Sequence, residues 1–142
     1  YEIPEGSRAS KGRAIQNVIN IEPDDKIKAY LNVKNLKDED YVNNTYIVLG
    51  TKKGIIKKTS LEAYSRPRTN GVIAITVRDG DELLEAIMTN GNSEILLAGR
   101  KGRCCRFDET DARALGRTAS GVRGINIDED DLELYGKYKA CN

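Results

Sequence analysis

Apolar and polar residues alternate in short runs along most of the chain, a pattern typical of β-strands. Residues 46–51 (YIVLGT) and 72–77 (VIAITV) predict a half-buried strand and a core strand, and residues 26–33 (KIKAYLNV) alternate with period two. Residues 79–88 begin like a capped helix, but their correspondence with 26–33 favours a strand. Short helical turns are expected at two places, residues 60–64 and 108–113. The pattern predicts an all-β fold without a long helix.

Two motifs recur along the sequence. YIVLGTKKGIIKK at residues 46–58 matches EILLAGRKGRCCR at residues 94–106, a shift of 48 positions. A second motif joins a glycine, an alternating apolar strand and an acidic cluster. It occurs three times, at residues 8–21, 68–77 and 117–127, with Gly12, Gly71 and Gly121 as its glycines and residues 22–25, 79–82 and 128–131 as its acidic clusters. Repetition on this scale is typical of stacked or radial architectures.

The spacing of the motifs predicts a radial repeat of four-stranded, propeller-like blades with a period of about 50 residues. The longer first interval places a polar surface insertion at residues 34–44 (KNLKDEDYVNN). The predicted units are residues 1–64, residues 65–114 and a partial unit at 115–142, which amounts to about two blades and part of a third. Residues 132–142 are polar and basic and form an atypical tail.

The basic turns of the first motif predict hairpins. Lys52-Lys53-Gly54 and Arg100-Lys101-Gly102 each suit a three-residue connection that ends on a glycine in the left-handed region. The basic side chains on these turns and their flanks are expected to point outward as a cluster.

Charge is segregated along the chain, although 23 basic and 22 acidic residues give a net charge of only +1. Five stretches free of Asp and Glu hold 16 of the 23 basic residues. These stretches are residues 8–13, 52–58, 66–68, 100–106 and 113–123. Such segregation favours an anionic partner. The alternative is that the lysines and arginines only solvate hairpin tips.

The composition narrows the chemistry available to this chain. Histidine is absent, which excludes Ser-His-Asp and Cys-His nucleophiles and zinc sites with histidine ligands. The three cysteines lack disulfide or metal-ligand spacing and are expected to be reduced. No apolar run approaches the roughly 18 residues that a membrane span needs, so no membrane partner is expected. The start at Tyr1 rather than Met suggests a piece of a longer protein.

Two other features resemble active-site chemistry. The acidic clusters at residues 38–40 and 128–131 could bind Mg²⁺ or serve a nuclease, but they are more typical of solvated loops. Tyr64 lies near Arg66 and Arg68, yet it is expected to pack its ring rather than attack phosphate. No catalytic residue and no metal ligand are predicted.

Four stretches resemble the C-terminal domain of the DNA gyrase A subunit. They are SRASKGRAIQNVINIEPDDKI, TKKGIIKKTSLEAYSRPRTNGVIAI, DGDELLEAIMTNG and GRTASGVRGI, and the similarity runs from residue 1 to about residue 131. The related A subunit of topoisomerase IV shares this fold. The resemblance implies a β-pinwheel, a propeller-like disc of four-stranded blades around whose basic rim duplex DNA is bent.

The resemblance also implies a division of labour within the enzyme. This chain would be a non-catalytic DNA-binding and DNA-wrapping module of a bacterial type IIA topoisomerase that introduces negative supercoils at the expense of ATP. Its partners would be double-stranded DNA, the remainder of the gyrase A protein and the gyrase B protein, in an A2B2 assembly in the cytoplasm, associated with the nucleoid. ATP and Mg²⁺ would bind elsewhere in the enzyme, so no cofactor is expected here.

The sequence departs from the family pattern in one respect that bears on function. The glutamine-containing basic box of the family (Q-R-R-G-G-K-G in type) is missing, and residues 7–12 (SRASKG) are a degenerate counterpart of it. The true box is expected upstream of Tyr1, so this chain alone should wrap DNA poorly even if it binds it. No function is transferred to residues 132–142.

The candidate DNA contacts are the basic residues of the repeated motifs. They are Arg8, Lys11, Arg13, Lys52, Lys53, Lys57, Lys58, Arg66, Arg68, Arg100, Lys101, Arg103, Arg106, Arg117 and Arg123. Point charges beside glycine turns suit phosphates, and no recognition helix for base edges is evident, so binding should tolerate any sequence. Two other readings are a propeller scaffold whose basic rim binds an acidic protein and a stand-alone enzyme that uses carboxylates.

Overall fold

The computed structural model describes residues 3–127, most of whose regular structure is β. The strands are β1 (Tyr46–Thr51), β2 (Ile55–Ser60), β3 (Leu83–Thr89), β4 (Glu94–Ala98), β5 (Cys104–Asp108) and β6 (Val122–Arg123). The helical elements are α1 (Glu39–Asn43) and 3₁₀ turns at Ile15–Asn17, Leu61–Tyr64 and Glu109–Asp111. The predicted strand within 79–88 and the helical turns predicted at 60–64 and 108–113 are confirmed.

The strands form two antiparallel sheets. The first has four strands in the order β3-β1-β2-β6, and the second contains β4 and β5. We call β1 with β2 the first hairpin and β4 with β5 the second hairpin. The short strand β6 belongs to the third copy of the glycine motif, yet it pairs with β2, where Ile55 lies opposite Arg123. The four-stranded sheet therefore draws one edge strand from a later unit of the chain.

The two hairpin turns have the predicted conformation and repeat each other. Gly54 has φ +78° and Gly102 has φ +82°. The amide of Gly54 donates to the carbonyl of Thr51 at 3.1 Å, and 48 residues later that of Gly102 donates to Gly99 at the same distance. The register found in the sequence is therefore also a structural register.

Gly121 fixes the position of β6 against the first hairpin. It has φ +91°, and a Cβ built there would lie 2.4 Å from the carbonyl oxygen of Ile56. Gly102, also at positive φ, has nothing within 4 Å of the same position. The two glycines thus share a backbone conformation and differ in crowding.

Alanine substitutions at Gly102 and Gly121 should separate the cost of a positive φ from the cost of a steric clash at the added Cβ. We expect Gly102→Ala to lower the free energy of unfolding by about 1–2 kcal/mol through its backbone conformation alone. Gly121→Ala should cost more, because β6 must also move away from β2. Urea unfolding of both variants measures the difference, and equal losses would contradict the close approach of β6.

The core lies on both sides of the first sheet. Because neighbouring residues of a strand point to opposite faces, Val48 packs on one side while Ile47 and Leu49 pack on the other. The Val48 side joins the two sheets through one buried cluster, which consists of Val48, Ile56, Ile95, Leu97 and Ala112. The other side is covered by α1 and its neighbours in a second cluster, which consists of Val42, Ile47, Leu49, Leu61 and Ala86.

Residues 26–33 do not form the predicted strand, but their alternate side chains are buried as the prediction required. No strand is assigned there. Its alternate residues Ala29, Leu31 and Val33 do pack against the second cluster, while Tyr30 is 74% exposed. Burial follows the alternation of the sequence, whereas a strand also needs a hydrogen-bonding neighbour, and no described strand pairs with this segment.

The core strand predicted at 72–77 is also absent. Ala74 and Ile75 pack against the second cluster, but Ile73 is 62% exposed. The segment contacts the third copy of its own motif, since Thr76 donates from its amide to the carbonyl of Ala119 at 3.3 Å. It is extended chain held by isolated bonds rather than a member of a sheet.

Residues 34–44 were predicted to form a polar surface insertion, but part of this segment is buried. It contains α1, and Val42 is only 4% exposed. Asp38 caps this helix, because its Oδ1 accepts a bond from the amide of Tyr41 at 3.1 Å. The acidic run at 38–40 therefore supplies a helix cap and the first turn, where carboxylates are favourable.

Candidate nucleic-acid interface

Three arginines line one cleft, two of them from the second and third copies of the glycine motif and one just before the second copy. Arg66, Arg68 and Arg117 surround a shallow cleft of about 370 Å³. We call it the arginine cleft; Glu62, Ala63, Ser65 and Val72 also line it. Arg117 is held in place by a bond from its Nη1 to the carbonyl of Ile73 at 3.3 Å. The fold thus brings together guanidinium groups that lie some 50 positions apart in the chain.

Most of the fifteen candidate DNA contacts lie on the surface. The exposed ones are Arg8, Lys11, Arg13, Lys53, Arg66, Arg68, Arg100, Lys101, Arg103, Arg106 and Arg123. Lys52 and Arg117 are half-buried. Exposure makes a contact with phosphate sterically feasible, and the contact itself stays a prediction.

Lys57 does not point outward as expected. It is fully buried, at 0% exposure, and its ammonium group donates to the carbonyls of Ala74 and Arg117. These acceptors belong to the second and third copies of the glycine motif. Lys57 therefore ties two later segments to the first hairpin, and its ammonium group is not presented to a phosphate.

Lys58 is also buried, at 7% exposure, so the prediction that its side chain points outward was wrong as well. Its Nζ lies 3.4 Å from Oε2 of the fully buried Glu109 and donates to the backbone carbonyl of the same residue at 2.9 Å. The ammonium also sits 4.7 Å from the centre of the Tyr46 ring. This is a buried ion pair with a cation–π contact.

The sequence carried a weak signal for this pair. In the 48-residue register, Glu109 occupies the position of Leu61, an apolar residue that is 1% exposed. An acidic residue at the position of a buried leucine predicts a buried carboxylate, which then needs a cation. Lys58 lies two positions after the apolar Ile56 in β2 and so shares its face of the strand, which makes this lysine a candidate for that role.

The acidic segment at 79–82 lies against the first hairpin turn. Glu82 forms ion pairs with both Lys52 and Lys28. The backbone amide of Lys53 donates to Oδ1 of Asp81 at 2.9 Å, and its ammonium donates to the carbonyl of Asp79 at 3.2 Å. Basic and acidic residues that are separated along the sequence are therefore neighbours in space at this turn, and their charges partly cancel.

The second hairpin and β6 keep their arginines at the surface. The Nη1 of Arg106 lies 3.6 Å from Oε2 of Glu94 across the hairpin, and the two side chains are 70% and 46% exposed. Arg123 donates from Nη1 to the side-chain oxygen of Asn126 at 2.7 Å. An exposed ion pair of this kind is worth little and leaves the guanidinium available to a stronger anion.

The pKa of Lys57 is lowered from 10.5 to about 8, chiefly by burial and secondly by the charge of Arg117. The unfolded chain keeps this proton to higher pH than the folded chain does. The contribution of Lys57 to stability should therefore improve as the pH rises from about 8 towards 10.5.

The difference in unfolding free energy between the wild type and Lys57→Met, followed from about pH 7 to 11, measures this contribution. We expect the unfolding free energy of the wild type to rise relative to that of Lys57→Met between about pH 8 and 10.5. Below about pH 8 the difference should stay constant. Parallel profiles for the two proteins would contradict the burial of the ammonium group.

Tyr64 packs its ring as predicted. It is half-buried against the second cluster, and its hydroxyl donates to the carbonyl of Ala74 at 3.1 Å. Burial raises the pKa of this phenol above its ordinary value. A protonated, hydrogen-bonded hydroxyl suits a structural role.

The described residues hold neither a metal-binding cluster nor a membrane-spanning helix. Across residues 3–127, no three Cys, Asp or Glu side chains come together in a way that could hold a metal ion. Within the same residues, no helix has the length and apolar character needed to span a bilayer. Cys104 is exposed and Cys105 half-buried, both as free thiols. The acidic cluster at 128–131 lies outside the described residues.

The fold and its basic surface define a β-rich repeat domain in which strands from successive units complete each other's sheets. A family model described as the DNA gyrase C-terminal domain, β-propeller, matches three successive stretches, residues 1–44, 45–90 and 93–132. The chain therefore belongs to the DNA gyrase C-terminal domain family. The unit boundaries given above from the sequence stay a prediction.

Relatives and solved structures agree with this assignment. The chain is 41% identical over 131 residues to the DNA gyrase A subunit of Salmonella typhimurium, covering 92% of this chain and 14% of that protein. It is 42% identical over 136 residues to the DNA gyrase A subunit of Staphylococcus aureus, covering 96% of this chain and 15% of that protein. The chain thus spans about one seventh of these relatives.

Two solved structures share the fold. A DNA gyrase A C-terminal domain matches with a TM-score of 0.74 at 26% identity, covering 91% of this chain and 40% of that one. A topoisomerase IV C-terminal domain matches with a TM-score of 0.72 at 28% identity, covering 83% of this chain and 35% of that one. The predicted fold class and family are confirmed.

Proposed function

We propose that this chain is a DNA-binding module of the DNA gyrase A subunit that bends duplex DNA along a basic outer surface. The observation that carries the proposal is the arginine cleft, where Arg66, Arg68 and Arg117, from segments some 50 positions apart, meet at the surface of a gyrase-family domain. Guanidinium groups form bidentate bonds with phosphate and stay charged at every physiological pH.

Binding is driven by the DNA backbone rather than by its bases. Each phosphate neutralised by an arginine or lysine releases condensed counterions, which supplies affinity independently of sequence. The turn at Gly71, with φ +76° and open space around it, allows backbone amides to approach the duplex closely. Bending 20–30 base pairs by 40–90° costs on the order of 1–6 kcal/mol, so easily bent sequences are preferred.

Within the whole enzyme the module acts without catalysing the reaction. It supports ATP-dependent negative supercoiling by a topoisomerase of two A and two B subunits, in which other parts bind ATP and Mg²⁺ and cut DNA. The enzyme works in the cytoplasm on the nucleoid. Because the glutamine-containing box is absent from this chain, the chain alone binds DNA but wraps it weakly.

A topoisomerase IV domain is the second candidate, supported by the similar TM-score of that C-terminal domain. The glutamine-containing basic box distinguishes the two proteins. A stretch like Q-R-R-G-G-K-G in the full-length subunit decides for gyrase.

Electrophoretic mobility shifts with several unrelated duplexes, at low and moderate salt, test the proposal. We expect similar binding to every duplex at low salt and clear weakening at moderate salt. No shift at low salt would favour the scaffold that binds an acidic protein. Incubation with plasmid and Mg²⁺ tests the carboxylate-enzyme reading, for which nicking by the chain alone is the positive result.

A further inference from the structure

The two sheets meet at a buried polar junction that none of the DNA-binding roles above uses. Lys58 lies on β2 of the first sheet, and Glu109 follows β5 of the second sheet directly. The ammonium group contacts both the carboxylate and the backbone carbonyl of Glu109, at 3.4 and 2.9 Å. Glu109, at the end of the second sheet, is therefore held at two points by one residue of the first sheet.

The carboxylate of Glu109 is bound from both sides of the junction. Oε2 accepts from the hydroxyl of Thr89, at the end of β3, at 2.7 Å. Oε1 accepts from the amide of Ser93, which precedes β4, at 2.7 Å. Burial alone would raise the pKa of Glu109, but these bonds and the charge of Lys58 outweigh it and leave the pKa below its ordinary value. The carboxylate is thus favoured in its ionised form, and both of its oxygens accept hydrogen bonds.

The repeat does not require this carboxylate. The amide of Leu61 donates to the carbonyl of Thr45 at 2.8 Å, and the amide of Glu109 donates to the equivalent Ser93 at 2.9 Å. The backbone of the two positions is the same, and Leu61 fills its site with apolar atoms. The ion pair is therefore an addition at the junction between the two hairpins.

An added polar network differs physically from the apolar cluster beside it. Apolar contacts such as those within the cluster of Val48 and Ile95 are not directional, so related packings of the two sheets differ little in energy. Hydrogen bonds and an ion pair depend on distance and angle, and in a buried site a wrong geometry leaves charges unpaired. The network therefore selects one packing among those that the apolar cluster allows.

We propose that Lys58 and Glu109 are positioning residues that hold the two sheets at one fixed angle and thereby set the course of bound DNA. The second part rests on the proposed function. The angle between the sheets sets the orientation of the arginine cleft relative to the exposed arginines of the second hairpin, such as Arg103 and Arg106. A duplex that touches both regions must follow that angle.

Spin-label distances within the chain test the first part without DNA. Labels are attached to Cys104 and to a cysteine introduced by Glu62→Cys, both exposed sites, in a background with Cys105→Ser and Cys141→Ser. In this background the variant Lys58→Met/Glu109→Gln removes the ion pair, and the glutamine can still bond to Ser93 and Thr89. We expect a distance distribution roughly twofold wider than that of the wild type.

Two controls separate the junction from general effects. Lys58→Arg keeps the charge and should keep the narrow distribution. Lys53→Met/Glu94→Gln removes the same charges away from the junction, at the exposed Lys53 and the half-buried Glu94, and should also leave the distance distribution unchanged. An unchanged distribution in Lys58→Met/Glu109→Gln would overturn the proposal.

Energy transfer between the ends of a bound duplex of about 30 base pairs tests the second part. We expect a longer end-to-end distance with Lys58→Met/Glu109→Gln than with the wild type, and affinity for a short duplex within about twofold of it. A loss of affinity near eightfold at about 0.1 M salt would make Lys58 a phosphate contact and overturn the proposal. If the wild type leaves the duplex straight, the proposed function fails, and the spin labels still decide on the angle.

Discussion

Replacing Arg66 and Arg68 by glutamine is expected to weaken duplex binding about 60-fold at 0.1 M salt. Both side chains are exposed and line the arginine cleft. Each phosphate contact contributes a counterion-release factor that grows as salt falls, about eightfold at 0.1 M if the effect vanishes near 1 M. Fluorescence anisotropy of a labelled duplex measures the affinity of the double variant against the wild type.

The control for this prediction removes two other exposed charges. Lys26→Gln/Lys34→Gln makes the same change in net charge at positions outside the predicted interface. General attraction between chain and DNA would fall in this variant too, but no direct contact would be lost. Equal weakening in both double variants would show that the cleft is not a specific place of contact.

Replacing Glu109 by alanine is expected to lower the free energy of unfolding by about 3–5 kcal/mol. The substitution leaves the ammonium group of Lys58 buried without its carboxylate and removes the acceptors for Thr89 and Ser93. Since a domain of this size is stable by only about 5–15 kcal/mol, the loss is a large share of the total. Chemical denaturation of the variant and the wild type measures it.

An exposed ion pair provides the matched control. Glu94→Ala removes the carboxylate that faces Arg106 on the surface of the second hairpin, and it should cost less than about 1 kcal/mol. A small effect at both glutamates would contradict the buried network at Glu109. Because the pKa of Glu109 is below its ordinary value of 4.5, the contribution of its charge is present above that pH and is lost as the pH falls through the folded-state pKa.

The local features of the fold were predictable from the sequence because they depend on nearby residues. A Lys-Lys-Gly turn needs only a glycine that tolerates positive φ, and Gly54 adopts it. The 48-residue register was predictable for the same reason, since both stretches carry the same pattern of an apolar strand, a basic turn and a glycine. Strand β3 followed from its correspondence with 26–33, although that segment itself forms no strand.

The wrong predictions concern contacts between residues that are distant in the sequence. Lys57 and Lys58 looked like surface charges in a basic run, but strands and loops from later units cover β2 on both sides. The acidic segment at 79–82 looked separate from the basic turn at 52–54, yet the β1–β3 pairing brings them together. Linear charge segregation therefore overestimates the positive surface wherever pairing joins an acidic loop to a basic turn.

The salt dependence of binding to a random duplex tests the central claim most directly, since it counts the phosphates that the basic surface neutralises. If the surface touches about five phosphates, a plot of log affinity against log salt should have a slope near −4.5. A slope shallower than about −1 would mean that at most one phosphate is neutralised, and it would contradict a DNA-binding surface on this chain.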